Sequence, residues 1–291
     1  MPLAFGPTSA GQTLAKAPSP LAFVPALIHR FGAYYPAGGI GAIPEALTEQ
    51  ARAAGVSVHY QTKVRSIRCQ DRAVRGVELD DGTVVPAEAV IANASGVGTY
   101  LELTHAIPSP VRSRLRRLPL QSPGICVYLA VRHPTPPPYL RFFLPGGDAW
   151  CRLLVTPAML APELSHDGWY PARLIAPMDH TMAETGGVEV QTALLNRVLS
   201  ETWWQDHVGE YRVIDTRIPA DWGAAYHLYH NSMNPVMTAR FMRAGRLAHR
   251  SPYIQGLYLA GSATHPGQWV SFCAISGILA GDCVVEDLGT C

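Results

Sequence analysis

The sequence predicts a mixed α/β fold in which α/β segments at both ends of the chain flank a mostly antiparallel sheet with helices. A helix followed by alternating strands occupies residues 34–104, and strand-like runs separated by turns fill residues 105–244. A buried strand, a small-residue loop and a helix follow within residues 245–291. With the charge-poor stretch 1–33, these segments predict a chain that starts one domain, builds a second and returns to the first.

The composition describes a globular chain without the basic excess of a nucleic-acid binder. Of 291 residues, 48% are hydrophobic and 15% charged, and the formal net charge is +1. These values argue against disorder and against a nucleic-acid partner. Six cysteines include no pair separated by two residues, which favours reduced thiols in a cytoplasmic protein over a metal or redox motif. No apolar run is long enough to span a bilayer.

The first α/β segment is predicted to contain a glycine-rich turn and a helix. Phe31–Pro36 has the pattern of a short strand, and Gly38-Gly39-Ile40-Gly41 forms a permissive loop after it. Pro44 suits the first turn of a helix that Gly55 closes. Further strands are predicted at Val56–Tyr60, Val64–Cys69, Val74–Leu79, Thr83–Pro86 and Ala89–Ala92, with a hairpin turn at Asp80-Asp81-Gly82.

The middle of the chain is predicted to form an antiparallel sheet with one long helix. The helix runs from Val188 to about Trp204 and carries an apolar stripe on one face. The strands are predicted at Gly124–Val131, Leu140–Leu144, Cys151–Thr156, Ala172–Pro177 and Tyr211–Ile218.

The carboxy-terminal segment carries the strongest candidate for a binding site. A strand at Gly256–Ala260 leads into the small-residue loop Gly261–Gly267, and a helix follows at Ser271–Asp287. Such a loop lets a ligand approach the backbone, and the helix directs free N–H groups towards it. A plain β–α connection also prefers small residues, so the loop by itself leaves both interpretations open.

Two weaker motifs are interpreted as structural. The run from Gly39 to Pro44 superficially resembles a dinucleotide fingerprint, but Pro44 stands where the third glycine would allow close helix–strand packing. His227 and His230 are spaced as metal ligands on a helix would be, but no third ligand follows. We therefore predict no metal site and assign no catalytic residue.

Three ordered segments together resemble the phytoene desaturases and related FAD amine-oxidase-like enzymes. The first is YPAGGIGAIPEAL at residues 35–47, and the second comprises TKVRSI at 62–67, DGT at 81–83 and AVIANA at 89–94. The third, GLYLAGSATHPG at 256–267, is similar to the carboxy-terminal flavin motif of that family. Residues 105–244 resemble the family in layout only.

The resemblance implies a fold, a cofactor and a reaction class. The fold is an incomplete FAD-binding domain of the glutathione-reductase type (34–104 and 245–291) with an inserted substrate-binding domain of antiparallel sheet and helices (105–244). The implied function is an FAD-dependent oxidoreductase acting on a polyene, carotenoid-like or other apolar substrate. In such enzymes the flavin carries out the redox chemistry and the protein positions the substrate.

The resemblance also implies the site residues. Val64 is expected at the adenine ring, and Asn93, Ala94 and Ser95 near the phosphates. Tyr35, Gly38 and Gly39 are expected near the flavin ring, where substrate approaches. The carboxy-terminal residues expected beside the ribityl chain and the ring are Gly261, Ser262, Thr264, His265, Pro266, Gly267, Gln268, Trp269 and Val270.

Two departures from the family pattern leave alternatives open. The fingerprint G-x-G-x-x-G with its following acidic residue is absent, so a second chain carrying it is an expected partner. Residues 268–272 replace a glycine-rich stretch, and Trp269 either stacks on flavin or packs in the core. The alternatives are a non-catalytic remnant or partner subunit of a split flavoenzyme, or a related flavin amine oxidase. An apolar substrate also implies peripheral contact with a membrane surface.

Overall fold

The computed structural model describes residues 23–32, 34–133, 138–143 and 151–289. They form two compact units, each treated separately below. The sheet unit comprises the described parts of residues 23–59 and 122–222, and the loop unit those of 60–121 and 223–289.

The helices and strands follow the predicted order for most of the chain. The helices are α1 Phe23–Phe31, α2 Ala42–Ala53, α3 Gly96–Leu101, α4 Ser109–Arg116, α5 His180–Leu199, α6 Thr202–Val208, α7 Pro219–Tyr226, α8 Ala239–Ala244 and α9 Val270–Leu288. The strands are β1 Val64–Gln70, β2 Ala73–Leu79, β3 Val84–Pro86, β4 Val90–Ala92, β5 Leu120–Gln121, β6 Ile125–Val131, β7 Leu140–Phe143, β8 Arg152–Val155, β9 Tyr170–Ala176, β10 Tyr211–Arg217, β11 Asn234–Pro235 and β12 Leu257–Leu259.

The sheet unit contains a five-stranded antiparallel sheet in the order β10-β6-β9-β8-β7. Alternate residues of β6 and β9 are fully buried against α5 and α6, with Val198 and Trp204 completely enclosed. The Trp204 indole donates to the carbonyl oxygen of Val198 at 2.8 Å, which satisfies its buried N–H. The predicted antiparallel sheet with flanking helices is confirmed for this unit.

The loop unit combines an antiparallel meander with a parallel strand pair. Strands β1, β2 and β3 form the meander, and β12 pairs in parallel with β4. Apolar side chains from the meander, the parallel pair and α3 form one core, in which Val74, Tyr100 and Leu257 are almost fully buried. The predicted mixed α/β class is confirmed, and the description of one domain inserted into another stays a prediction.

Two predicted strands are wrong. Phe31 is the last residue of α1, and residues 34–36 form no strand. Val56–Tyr60 forms no strand either, because the Val56 N–H bonds back to the carbonyl oxygen of Ala51 at 3.0 Å and closes α2 instead. A strand requires a partner strand, and apolar alternation alone does not supply one.

The long predicted helix is longer and discontinuous. It begins at His180, where Asp179 accepts a hydrogen bond from the Met182 N–H at 2.9 Å, and it is kinked at Gly187. A break after Leu199 separates α5 from α6. None of the helices in the described ranges is both apolar enough and long enough to cross a bilayer.

The predicted boundaries at 33, 104 and 244 stay a prediction. Residues 1–22 and 290–291 of the predicted segments, Leu144 of the second predicted strand, and residue 33 lie outside the described part of the chain.

Candidate functional site

The candidate site in the loop unit begins where two parallel strands end side by side. The Ala260 N–H donates to the carbonyl oxygen of Ala92 at 3.0 Å, so β4 and β12 run together to their carboxyl ends. The loops that follow begin at Asn93 and Gly261. A Cβ built on Gly261, whose φ is +98°, would lie 2.6 Å from Asn93 Oδ1. The carboxyl ends of parallel strands are the usual position for ligands in α/β folds.

A closed ring of hydrogen bonds holds the second loop to α9. The Gly261 N–H donates to Ser276 Oγ at 2.8 Å, and Ser276 Oγ and Thr264 Oγ1 are 2.6 Å apart. Thr264 Oγ1 donates to the Gly261 carbonyl oxygen at 2.7 Å, which completes the ring. Both hydroxyl side chains are fully buried. Hydrogen bonds within the protein therefore hold the loop conformation.

Sequence reasoning missed Ser276. Its position within the apolar run ISGILAG of α9 is the one available signal, since a serine amid apolar residues needs a partner. The partner lies 15 positions away, and local patterns do not identify such a pair.

The N-terminus of α9 has no side-chain cap. Trp269 precedes the helix with φ +96°, and its carbonyl oxygen accepts from the Cys273 N–H at 2.8 Å. The Trp269 and Phe272 rings are 5.6 Å apart between centroids, so Trp269 has a packing contact within the unit. The N–H groups of the first helical turn carry the positive end of the helix dipole and suit an anionic or electron-rich ligand.

A half-buried arginine lies against the same loop. The Arg246 guanidinium donates to the Pro266 carbonyl oxygen, and its Nη1 lies 3.4 Å from His265 Nδ1. Burial lowers the pKa of Arg246, and no carboxylate of a described residue lies within 4 Å of it. Sequence reasoning missed this cation, because Arg246 is 19 positions away from His265 along the chain.

Gln268 belongs to a buried amide cluster. Its Oε1 accepts from Asn234 Nδ2 at 2.8 Å, and the same Nδ2 lies 3.4 Å from Gln121 Oε1. Asn234 is almost fully buried. The cluster joins the residue after Gly267 to strand pair β5–β11, which anchors the end of the loop.

A cavity of about 810 Å³ lies beside the first loop. Val64, Ala94 and Ser95, three of the predicted cofactor residues, line it together. Ser95 also caps α3, since its Oγ accepts from the Gly98 N–H at 3.4 Å. The volume lies within the range of about 300–1,000 Å³ that is typical of small-molecule pockets.

The three remaining predicted residues lie in the sheet unit. The Gly38 N–H donates to Glu163 Oε1 at 3.4 Å, and a Cβ on Gly39 would lie 3.5 Å from Leu164. Tyr35 and Tyr139 have ring centroids 6.1 Å apart. These contacts join the predicted substrate-side loop to the segment 163–164 and to Tyr139 of its own unit. The functional roles of all the predicted site residues stay predictions.

The predicted histidine pair has no shared helical face. His227 and His230 both have positive φ, 51° and 47°, and both follow the end of α7. Within the described ranges, no group of three His, Cys, Asp or Glu side chains could hold a metal ion.

The donor set of the loop unit suits a flavin dinucleotide. The cavity offers space for a dinucleotide, the two loops approach closely at Gly261, and the uncapped N-terminus of α9 offers N–H donors. These features and the fold are those of a nucleotide-binding α/β protein.

Comparison with known proteins identifies the family. The family model described as FAD dependent oxidoreductase matches residues 8–200, most of the chain, and the chain belongs to this family. The family is FAD-dependent, and the relatives below agree with the predicted phytoene desaturase-like resemblance.

The names of two curated relatives describe reactions on carotenoids. The chain is 24% identical to 4,4'-diapolycopene oxygenase from Methylomonas sp, with 96% of this chain and 60% of that protein aligned. It is 26% identical to the zeta-carotene-forming phytoene desaturase of Myxococcus xanthus, over 85% of this chain and 52% of that one. The chain therefore spans between half and two thirds of the length of these relatives.

Solved structures show the same fold. An oxidoreductase from Methanosarcina mazei matches 96% of this chain and 64% of its own with a TM-score of 0.67 and 18% identity. A protein from Pyrococcus furiosus matches 99% of this chain and 63% of its own with a TM-score of 0.63 and 16% identity.

Proposed function

We propose that the chain forms the flavin-ring and substrate side of an FAD-dependent oxidoreductase acting on a polyene or other long apolar substrate. The observation that carries this proposal is the hydrogen-bonded loop Gly261–Gly267 at the carboxyl end of β12, followed by the uncapped N-terminus of α9. A loop held in one shape by its own buried hydrogen bonds is suited to a large planar group, because binding requires little reorganisation.

In this proposal, different residues of the loop unit contact different parts of the cofactor. The backbone at Val64 contacts the adenine ring, and residues 93–95 lie near the phosphates. Residues 261–270 lie beside the ribityl chain and the ring, and Arg246 adds a positive charge there. Bound FAD supplies the hydride acceptor, and the protein binds, orients and shields the substrate from water.

The substrate class follows from the relatives and from the sheet unit. The relatives named above act on diapolycopene or form zeta-carotene, which are long apolar molecules. We assign residues 105–244 as the substrate-binding domain, with Tyr35, Gly38 and Gly39 on the side from which substrate approaches the ring. The flavin amine oxidase alternative has only fold-level support.

The test is a visible absorption spectrum of the purified chain before and after addition of FAD and gel filtration. Flavin bands that remain with the protein support the proposal. If the chain retains no flavin under any condition, the proposal is contradicted for the chain alone. That result favours the second candidate below.

A partner subunit of a split flavoenzyme is the second candidate. The exposed face of α9 favours it, because Val270, Ile278, Val285 and Leu288 are 47–65% exposed and no atom lies within 4 Å of a Cβ built on Gly277 or Gly281. Co-expression with a protein that supplies the dinucleotide fingerprint tests this, and Ile278→Asp should block the association. Flavin retained by the chain alone contradicts it.

Peripheral membrane association is part of the proposal, because carotenoid-like substrates reside in membranes. Flotation with liposomes tests it. Protein that stays entirely in the unbound fraction contradicts this part and leaves the flavin assignment unaffected.

A further inference from the structure

The outer face of the five-stranded sheet carries a groove that the proposed flavin chemistry does not explain. Along β6 and β9, Leu129 and Ala172 face the core, and their neighbours Ala130 and Pro171 pair on the opposite face. The groove has a volume of about 550 Å³. Its lining is mainly apolar and comes from β6, β9, β10 and the segment 164–170.

Two arginines each contact the Trp169 ring at this groove. The Arg212 guanidinium carbon lies 4.2 Å from the centroid of the Trp169 ring, and that of Arg132 lies 5.4 Å from it. Trp169 and Arg212 line the groove. Two cations on the same ring each gain a cation–π contact, but they also repel one another.

Neither guanidinium has a carboxylate partner among the described residues. No carboxylate of a described residue lies within 4 Å of either one, and the Arg132 Nη1 donates instead to the Asp167 carbonyl oxygen at 3.2 Å. Of the nearby acids, Asp215 pairs with Arg217 at 2.8 Å, and the exposed Asp167 carboxylate lies 3.3 Å from His166 Nε2. A third arginine, Arg173, faces Tyr128 of the groove across β6 and β9 and also lacks an acidic partner in the described part of the chain.

The surroundings of the arginines are those of an amphipathic ligand site. The lining has an apolar part, with Leu164 and with Ile214, which is 65% exposed at a bulge of β10, and a polar part, with His166 and Asp167. An exposed isoleucine beside guanidiniums without a carboxylate partner in the described part of the chain matches a ligand with an apolar body and an anionic end. A guanidinium binds either a carboxylate or a phosphate with two parallel hydrogen bonds, and the vesicle assay below separates the two.

We infer that this groove binds a long apolar chain that ends in a carboxylate. The chain lies along Ala130, Pro171 and Ile214, and the carboxylate lies at Arg132 and Arg212. Every residue belongs to the sheet unit, so this binding site stands independently of flavin binding. It adds an oxygenated, charged class of ligand to the hydrocarbons named for the relatives.

Retinoic acid and retinol are matched probes, because both are apolar polyenes and only one ends in a carboxylate. Titration of the purified full chain with each, below the concentration at which they form micelles, should give at least tenfold tighter binding of retinoic acid. The double variant Arg132→Gln/Arg212→Gln should lower the affinity for retinoic acid at least tenfold and leave retinol binding unchanged. Arg197→Gln, an exposed arginine of α5, is the control and should change neither.

A charge-conserving variant and a vesicle assay complete the test. If the double variant fails to fold, Arg212→Lys replaces it, and this variant should keep part of the preference because it keeps the charge. Equal affinity for retinol and retinoic acid, or an unchanged preference in the folded double variant, overturns the inference. A third result also overturns the inference: the protein binds phosphatidylglycerol vesicles through both arginines but does not bind retinoic acid. In that case the surface docks on lipid. The flavin titration is separate, so either proposal can fail without the other.

Discussion

Two glycine-rich loops in this chain each precede a helix, and the structure holds them very differently. Gly261–Gly267 precedes α9 and is closed by the buried hydroxyls of Thr264 and Ser276. Gly38–Gly41 precedes α2, which has no buried residue, and Ile40 is 54% exposed. Glycine spacing therefore predicts where the backbone turns, and side chains distant in sequence determine whether the turn is rigid.

The largest effect is expected from adding a methyl group at Gly261. Gly261→Ala forces an alanine to φ +98° and places its Cβ 2.6 Å from Asn93 Oδ1. The positive φ costs about 1–2 kcal/mol, and displacement of the exposed Asn93 side chain adds up to about 1 kcal/mol, so the free energy of unfolding should fall by about 2–3 kcal/mol. Urea denaturation of the variant measures this.

Gly38→Ala is the matched control, because its φ is +79° but nothing lies within 4 Å of the added Cβ. Its free energy of unfolding should fall only by the cost of the positive φ, about 1 kcal/mol. Equal losses in the two variants would show that the contact between the loops at Asn93 is not maintained in solution.

Removal of the Ser276 hydroxyl should have the next largest effect. Ser276→Ala leaves the Gly261 N–H and the Thr264 hydroxyl without their buried partner. A buried unsatisfied donor costs about 1–3 kcal/mol, and the variant should lose that much stability. Ser271→Ala, on the exposed first turn of the same helix, should change stability by less than about 0.5 kcal/mol. A Ser276→Ala protein as stable as the parent would mean that the loop is not held by the ring.

The same contrast explains how much the sequence could predict. The strand–loop–helix order at 256–287, the meander and the antiparallel sheet depend on local periodicity and turn residues, and the structure has all three. The wrong strands at 31–36 and 56–60 had the apolar pattern but no partner strand. Ser276 and Arg246 act on the loop from 15 and 19 positions away, and pairings of that range have no local signature.

A moderate effect on cofactor binding is expected from Arg246. Its half-buried guanidinium lies against Pro266 and has no carboxylate partner among the described residues, so the oxygen and nitrogen acceptors of a bound flavin ring gain from it. Arg246→Gln should weaken FAD binding roughly tenfold, which corresponds to about 1.4 kcal/mol. Calorimetric titration of the purified chain measures this.

Arg243→Gln, an exposed arginine of α8, is the control for the charge change and should leave FAD affinity unaltered. If both variants weaken binding equally, the effect is a general one of net charge, and Arg246 has no special place at the loop.

The smallest effect is expected on the helix that follows the first loop. Leu47 of α2 is 60% exposed, so Leu47→Ser removes little apolar contact and costs mainly helix propensity. Stability should fall by no more than about 0.5 kcal/mol in the urea assay. A loss above about 1 kcal/mol would show that α2 buries its apolar residues against another surface in solution. The two loops would then differ in what covers them and not in how firmly the protein holds them.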